Sequence, residues 1–402
     1  MVVKETRKIQ SVIQTILGRI FVFPLSNIVK RDKSLWVFGS NFGYADNPKY
    51  LYEEVLRNYP NIKAIWIYKN SGATSWYKSN GIKAFYYKSI KGVYYCMKAA
   101  VYVYSFRTSD INYYTSGNAF KVNLWHGIGM KEVEFRIKKG LIANRYNGSL
   151  ISRLHYPVLY QKPDILLNVG VKYFNKLRDS FQVNNENCVV DIYPRCKFFY
   201  ESRDQQINRI QNEGGELKKM YDKIKDYSKV YLYMPTFRDS SRDIFTSSGF
   251  DFEMLNEALK KSNDFFVIKV HPNTFGLLTK LKDYSNILIT RHQFDIYPLL
   301  PFVDVLITDY SSIYFDFLLL KKEIILFPFD YQEYQKGDRE LSMDYDVDII
   351  GKKIYSFKEL IKIIDKREDC HLSNDEYKKM IHDYWGERHQ NIVDEIIKRT
   401  IG

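Results

Sequence analysis

Apolar residues recur along this chain in short runs, most of them closed by Gly, Pro, Asn or Asp and followed by a polar stretch with apolar positions at helical spacing. The runs Leu35–Gly39 (LWVFG), Ile62–Tyr68, Ile82–Tyr87, Ala100–Tyr104, Val122–Trp125, Ile165–Val169 and Val189–Tyr193 predict strands. Helices are predicted from Pro48 onward and over Ile90–Lys98, Leu150–Tyr160 and Tyr173–Phe181. A polar helical stretch, Arg203–Lys225, follows, and then the rhythm restarts. Strands are predicted at Val230–Met234, Phe265–Val270, Ile287–Ile289, Val305–Thr308 and Ile324–Phe327. Helices are predicted near Phe252–Lys260, Asp295–Leu300, Tyr310–Leu320 and Phe357–Ile364. This alternation implies an α/β fold of two consecutive doubly wound, parallel-sheet domains, residues 34–200 and 201–385. A C-terminal helical segment, 386–402, is open to returning to the first domain.

The first 33 residues follow a different pattern. Ile9, Val12, Ile13, Ile16, Leu17 and Ile20 share one helix face, Lys4, Arg7, Lys8 and Arg19 lie off it, and Pro24 ends the pattern before a second basic cluster at Lys30, Arg31 and Lys33. That is the composition of a helix lying in an anionic membrane interface; a helix docked on the protein's own core would show the same stripe. No apolar run approaches the roughly 18 to 20 residues that cross a bilayer.

Composition narrows the partners. Lys and Arg number 60 against 47 Asp and Glu, a net charge of +13, which favours an anionic partner: a phosphorylated substrate, an acidic membrane surface or nucleic acid. The excess is spread out and no nucleic-acid signature accompanies it, so nucleic acid is the weakest of the three. The four cysteines have no CxxC spacing and no secretory signal precedes them, which argues against a zinc site and a disulfide framework.

In open parallel sheets ligands bind beyond the carboxyl ends of the strands, and four ends here carry chemistry. After Val122–Trp125 comes His126-Gly127-Ile128-Gly129-Met130-Lys131, where a His beside glycines can reach into a cleft and accept a proton near neutral pH. After Val230–Met234 comes Pro235-Thr236-Phe237-Arg238, offering a hydroxyl and a bidentate phosphate donor. Lys269 and His271 close the next strand, where Pro272 and Asn273 stop the ladder. Asp309-Tyr310-Ser311-Ser312 turns a strand into a helix, whose first N–H groups form a phosphate seat. Each end also has a plain reading, as a cap, a turn or a structural His. Their joint occurrence in a two-domain fold, with the first loop opposite the other three across a cleft, favours a phosphate-handling site.

These residues resemble the CDP-glycerol glycerophosphotransferases, the teichoic-acid primases and polymerases. The similarity rests on WHG..K (Trp125, His126, Gly127, Lys131), PT.R (Pro235, Thr236, Arg238), K.HP (Lys269, His271, Pro272) and TDYSS...D (Thr308 to Ser312, Asp316). An early FGS.FG stretch with Asp46, Asn47 and Lys49, and Asp338-Arg339 before Asp344-Tyr345, extend it. The resemblance implies a GT-B-like fold with a central cleft and transfer of a polyol phosphate from CDP-glycerol or CDP-ribitol to a hydroxyl of an undecaprenyl-diphosphate-linked acceptor, releasing CMP. It implies a peripheral enzyme at the cytoplasmic face of the membrane. His126 is then the general base and His271 the second catalytic residue, which with Arg238, Thr236, Ser311 and Ser312 holds the diphosphate and stabilises charge moving onto the departing CMP, with Asp309 capping or orienting. Gly127, Lys131, Lys269, Pro272, Asn273 and Arg339 support them. No DxD-like acidic cluster is evident, so no tightly bound cofactor or protein-held metal is expected; Mg²⁺ is admitted as a companion of the nucleotide. Two departures, Ile128-Gly129 in place of Thr-Pro and Pro194-Arg195-Cys196-Lys197 in place of a PRND-like turn, bear on acceptor or polyol identity. The rival reading is a GT-B glycosyltransferase using a nucleotide sugar for cell-surface polysaccharide.

Overall fold

The structure, a computed structural model, describes residues 15–139, 142–236, 238, 243–270, 283–290, 294–337, 341–387 and 389–401. His271, Pro272, Asn273, Arg339 and the first part of the basic N-terminal stripe lie outside them. Two compact units emerge: Met1–His126 with Ile142–Arg195 and Glu387–Gly402, and Gly127–Leu141 with Cys196–Gly386.

The first unit is built on seven parallel strands: β1 (Asp32–Gly39), β2 (Lys63–Tyr68), β3 (Ala84–Tyr86), β4 (Ala99–Tyr104), β5 (Phe120–Asn123), β6 (Ile165–Asn168) and β7 (Cys188–Val190), in the order β3-β2-β1-β4-β5-β6-β7. Helices cover both faces, so strand residues such as Trp36–Phe38, Ile65–Ile67 and Val101–Val103 have no wet side. This is why the strands read as unbroken apolar runs rather than alternating ones. The C-terminal helix Ile392–Thr400 packs in this unit: the Gln390 N–H donates to the Val190 carbonyl at 2.7 Å and the Ile392 N–H to Asp191 Oδ2 at 3.3 Å.

The second unit holds six parallel strands: β8 (Val230–Met234), β9 (Phe265–Lys269), β10 (Ile287–Thr290), β11 (Val305–Thr308), β12 (Glu323–Leu326) and β13 (Lys352–Lys353), in the order β10-β9-β8-β11-β12-β13. One face buries Tyr233, Phe245, Phe266, Leu255 and Leu360 in a single apolar cluster, each such side chain contributing about 1.5–3 kcal/mol.

Several helices differ from the sequence expectation. Arg203–Lys225 is two helices, Arg203–Glu213 and Gly215–Ile224, because Gly214 and Gly215 take φ of +61° and +54°, values that favour glycine and break the ladder. Leu150–Tyr160 is a six-residue helix, Leu150–His155, followed by a 3₁₀ turn at Pro157–Tyr160, where the proline has no N–H to continue. Asp295–Leu300 is a 3₁₀ segment, Tyr297–Phe302. The helix after β11 is short, Ile313–Leu318.

Candidate active site

In the first unit, the strand end of β5 carries the histidine. The Leu124 N–H donates to the Tyr104 carbonyl at 2.8 Å and the Trp125 N–H to Asn123 Oδ1 at 2.8 Å. Trp125 then takes φ of +53°, a left-handed conformation that is costly for a bulky residue. His126 follows, its ring centroid 3.9 Å from that of Trp125 and 5.6 Å from that of Phe106. The Phe106 loop is fixed in turn by Asp110 Oδ2, which accepts from the N–H groups of Phe106 (2.8 Å) and Arg107 (3.4 Å); burial pushes the Asp110 carboxyl up to about 6 despite them. His126 is half-buried, with Nδ1 enclosed and without a partner. Burial pushes its pKa down to about 4; the Asp46 carboxylate and a hydrogen bond to the Ser105 backbone act against that shift, and Arg195 and Arg107 act with it. The imidazole is therefore neutral at pH 7, the form that can take a proton.

Gly127, at φ +128°, begins the segment that belongs to the second unit. There Lys131 bridges Leu341 in antiparallel fashion, the Ser342 N–H and hydroxyl donate to the Met130 carbonyl at 2.8 and 2.9 Å, and Lys131 Nζ lies 4.9 Å from the centre of the Tyr334 ring. Tyr334 stacks on Tyr310 at 3.8 Å. The structure thus brings Lys131 to the same aromatic group that adjoins Asp309.

The ends of β8 and β11 are tied together by Asp309, which is 0% exposed. Its Oδ1 accepts from the N–H groups of Thr236 (2.9 Å) and Tyr310 (2.6 Å), its carbonyl accepts from the Tyr345 hydroxyl (3.1 Å), and its Oδ2 accepts from Arg238 (2.8 Å). Arg238 is 2% exposed. Its guanidinium also donates to both oxygens of Asp330, at 2.7 and 2.9 Å, and to the Thr236 carbonyl at 2.6 Å, under the rings of Tyr310, Tyr334 and Phe329. Burial works against its charge, but the two carboxylates more than offset it and raise the pKa above the ordinary arginine value. Sequence offered Arg238 as a bidentate phosphate donor; in the structure its donors face two carboxylates and a carbonyl inside the unit. Asp330 was missed. It stands just beyond β12, a strand end like the other four, and that position was the available signal.

Among the described residues, the polar groups left for a ligand at these ends are the Thr236 hydroxyl, enclosed and without a partner, and Ser311 and Ser312, both half-buried. Ser312 occupies the N-cap position yet makes no side-chain cap, so its hydroxyl is not consumed by the helix. Asp316 is buried in that helix and accepts from the Tyr297 hydroxyl at 2.5 Å. Lys269, at the end of β9, has its charge disfavoured by burial, an effect opposed by Asp295; its Nζ lies 4.9 Å from the centre of the Phe294 ring. The two units carry different groups: a neutral imidazole in the first, and hydroxyls on loops fixed by Asp309 in the second.

Residues 21–398 match the family described as CDP-glycerol:poly(glycerophosphate) glycerophosphotransferase. A teichoic acid poly(glycerol phosphate) polymerase of Staphylococcus epidermidis is 28% identical over 343 residues, 80% of this chain and 44% of that protein. A teichoic acid poly(ribitol-phosphate) polymerase of Bacillus spizizenii is 24% identical over 378 residues, 92% of this chain and 56% of that one. The chain thus spans about half the length of these curated relatives. Among solved structures, a variant of the wall teichoic acid polymerase TagF soaked with CDPG superposes with a TM-score of 0.74 at 22% identity, covering 100% of this chain and 98% of that one, a likeness of fold. With nearly its whole length matched, the chain belongs to the CDP-glycerol:poly(glycerophosphate) glycerophosphotransferase family.

Proposed function

We propose that this protein transfers glycerol phosphate, or a related polyol phosphate, from CDP-glycerol to a hydroxyl of a lipid-linked acceptor in the synthesis of a teichoic-acid or capsule-type polymer. The acceptor oxygen attacks the donor's β-phosphorus in line, the new P–O bond forms as the bond to the bridging oxygen breaks, and CMP leaves. His126 takes the hydroxyl proton and returns it to solvent. Thr236, Ser311, Ser312 and Lys269, with His271, two residues further along the sequence, bind the diphosphate. Arg238 acts from behind them, holding Asp309 and the Thr236 loop in register. Fixed donors of this kind supply the electrostatic stabilisation of the leaving group. The observation that carries the reading is the β8–β11 framework itself, in which one buried carboxylate fixes two strand-end loops and leaves hydroxyls unengaged.

Mg²⁺ enters this reading only as a companion of the donor, since Asp309 and Asp330 are both turned to Arg238. Incubation with CDP-glycerol or CDP-ribitol and a lipid-linked acceptor, with and without EDTA, is expected to release CMP and lengthen the acceptor. Binding of donor without CMP release would overturn the reading, and release of nucleotide from a UDP-sugar instead would favour glycosyl transfer.

An anionic membrane surface at the cytoplasmic face is the proposed partner. Among the described residues no helix is long and apolar enough to cross a membrane. The N-terminal segment has one docked face, with Phe23 stacked on Tyr113 at 4.9 Å and Gly18 against the Tyr114 ring, and one open face, with Ile20 and Phe21 59% and 64% exposed. Arg19 donates to the carbonyls of Leu154 and His155, tying the segment to the helix whose Leu150, Ile151 and Leu154 are also exposed. Such an apolar face rimmed by arginines suits an acidic lipid surface. Replacing Leu150, Ile151 and Leu154 by Ser is expected to weaken co-sedimentation with anionic vesicles; undiminished sedimentation would remove this face as the contact.

A further inference from the structure

The turn that carries His126 is held by residues with no role so far. At the start of the helix Asp46–Asn58, Asn47 is fully buried. Its Nδ2 donates to the Trp125 carbonyl at 2.8 Å, and its Oδ1 accepts from the Arg195 N–H at 3.2 Å. Beside it, Asp46 Oδ1 accepts from Arg195 Nη1 at 2.5 Å, in an ion pair whose side chains are 7% and 5% exposed. Asp46 itself sits at φ +63° and Trp125 at +53°, two left-handed non-glycine residues on the two sides of one contact. Backbone strain of this sort costs about 1–3 kcal/mol per residue and persists only where the surroundings enforce it. One oxygen of the carboxylate, Asp46 Oδ2, is buried without a partner, as is His126 Nδ1.

Resting on the transfer reading above, we propose that Asp46 and Asn47 are the positioning residues of His126: Asn47 pins the peptide that precedes the imidazole, and Asp46, oriented by Arg195, supplies the carboxylate that compensates the charge when the ring takes the acceptor's proton. The chemistry is complementary. A buried carboxylate with an unused lone pair lowers the cost of an imidazolium beside it, and a pinned backbone fixes where that imidazolium forms. The charged and polar groups that act electrostatically on the ring are Asp46 from this helix, Arg195 from the turn Pro194–Lys197, Arg107 from the loop after β4, and the Ser105 backbone. Among them Asp46 is the group that brings negative charge. This gives a common role to the early Asp-Asn pair, which sequence marked without one, and to the Arg195 turn, which sequence connected with acceptor or polyol identity.

The experiment pairs kinetics with histidine NMR. In Asp46→Asn the protonated fraction of the His126 ring at pH 5 is expected to fall about tenfold, a shift of about one pKa unit to lower pH. The acid limb of kcat moves the same way, kcat falls about 100-fold and KM for CDP-glycerol stays within about twofold. Asp46→Glu is expected to restore the NMR midpoint, and Asn47→Ala to lower kcat without moving it. An unchanged midpoint in folded Asp46→Asn, or a rise in KM alone, would overturn the proposal. Should Asp46→Asn not fold, an Asn47→Ala protein with undiminished kcat would do so. If the wild type releases no CMP while the Asp46→Asn midpoint still shifts, the transfer reading fails and the positioning role stands.

Discussion

The loop after β11 and the loop after β5 both hold residues singled out at strand ends, yet they are built in opposite ways. Around Asp309 the acceptors and donors are matched: two loop N–H groups, a guanidinium and a tyrosine hydroxyl converge on one buried residue, and the arginine's charge is shared between two carboxylates. Around His126 the backbone is strained and several buried polar atoms, among them Asp46 Oδ2, Trp125 Nε1 and His126 Nδ1, have no partner. A site that must hold an anion in place gains from a framework with nothing left to reorganise. A site that must change its protonation state gains from groups whose pairing is completed only when the proton arrives.

If that contrast holds, the two loops should break differently. Asp309→Ala leaves a buried guanidinium with one carboxylate and two loop N–H groups without an acceptor, and is expected to cost about 3–5 kcal/mol of stability, read as a lowered urea midpoint. A loss below about 1 kcal/mol would mean the framework is not what holds the β8 and β11 ends. His126→Gln should do the reverse, lowering kcat by about 10²–10⁴ with the urea midpoint at pH 7 unchanged or raised. The smallest effect concerns acid. The His126 pKa is depressed in the folded state, so stability is full above the unfolded value of about 6.5 and declines as pH falls toward about 4. Wild type should therefore lose up to about 3 kcal/mol more than His126→Gln between pH 7 and pH 4; parallel losses would show that the ring is not buried neutral.

Sequence made the framework of strands legible because parallel strands covered on both faces announce themselves as apolar runs. It failed where that signal is absent. The edge strand Lys352–Lys353 has no apolar residue, and the helix Asn374–Trp385 was passed over although Ser373 and Glu376 form a capping box at its start. At the site, residues standing just past a strand were found, since that position alone marks them. Partnerships were not. Arg238 pairs with residues 71 and 92 positions away, and Asn47 with one 78 away, so no local spacing could say that the arginine is enclosed or that the early Asp-Asn pair touches the histidine turn.

The helix Ile392–Thr400 completes the first unit from the far end of the chain, reaching β7 across 200 residues of sequence. On a ribosome this inverts the usual order. Apart from one segment, Gly127–Leu141, which is made early, the second unit is a single stretch that can close once Gly386 has emerged. The first unit must wait with the edge of its sheet at β7 uncovered until synthesis reaches its last residues. Domains commonly fold in the order they are made; here the half that carries His126 is the last to be sealed.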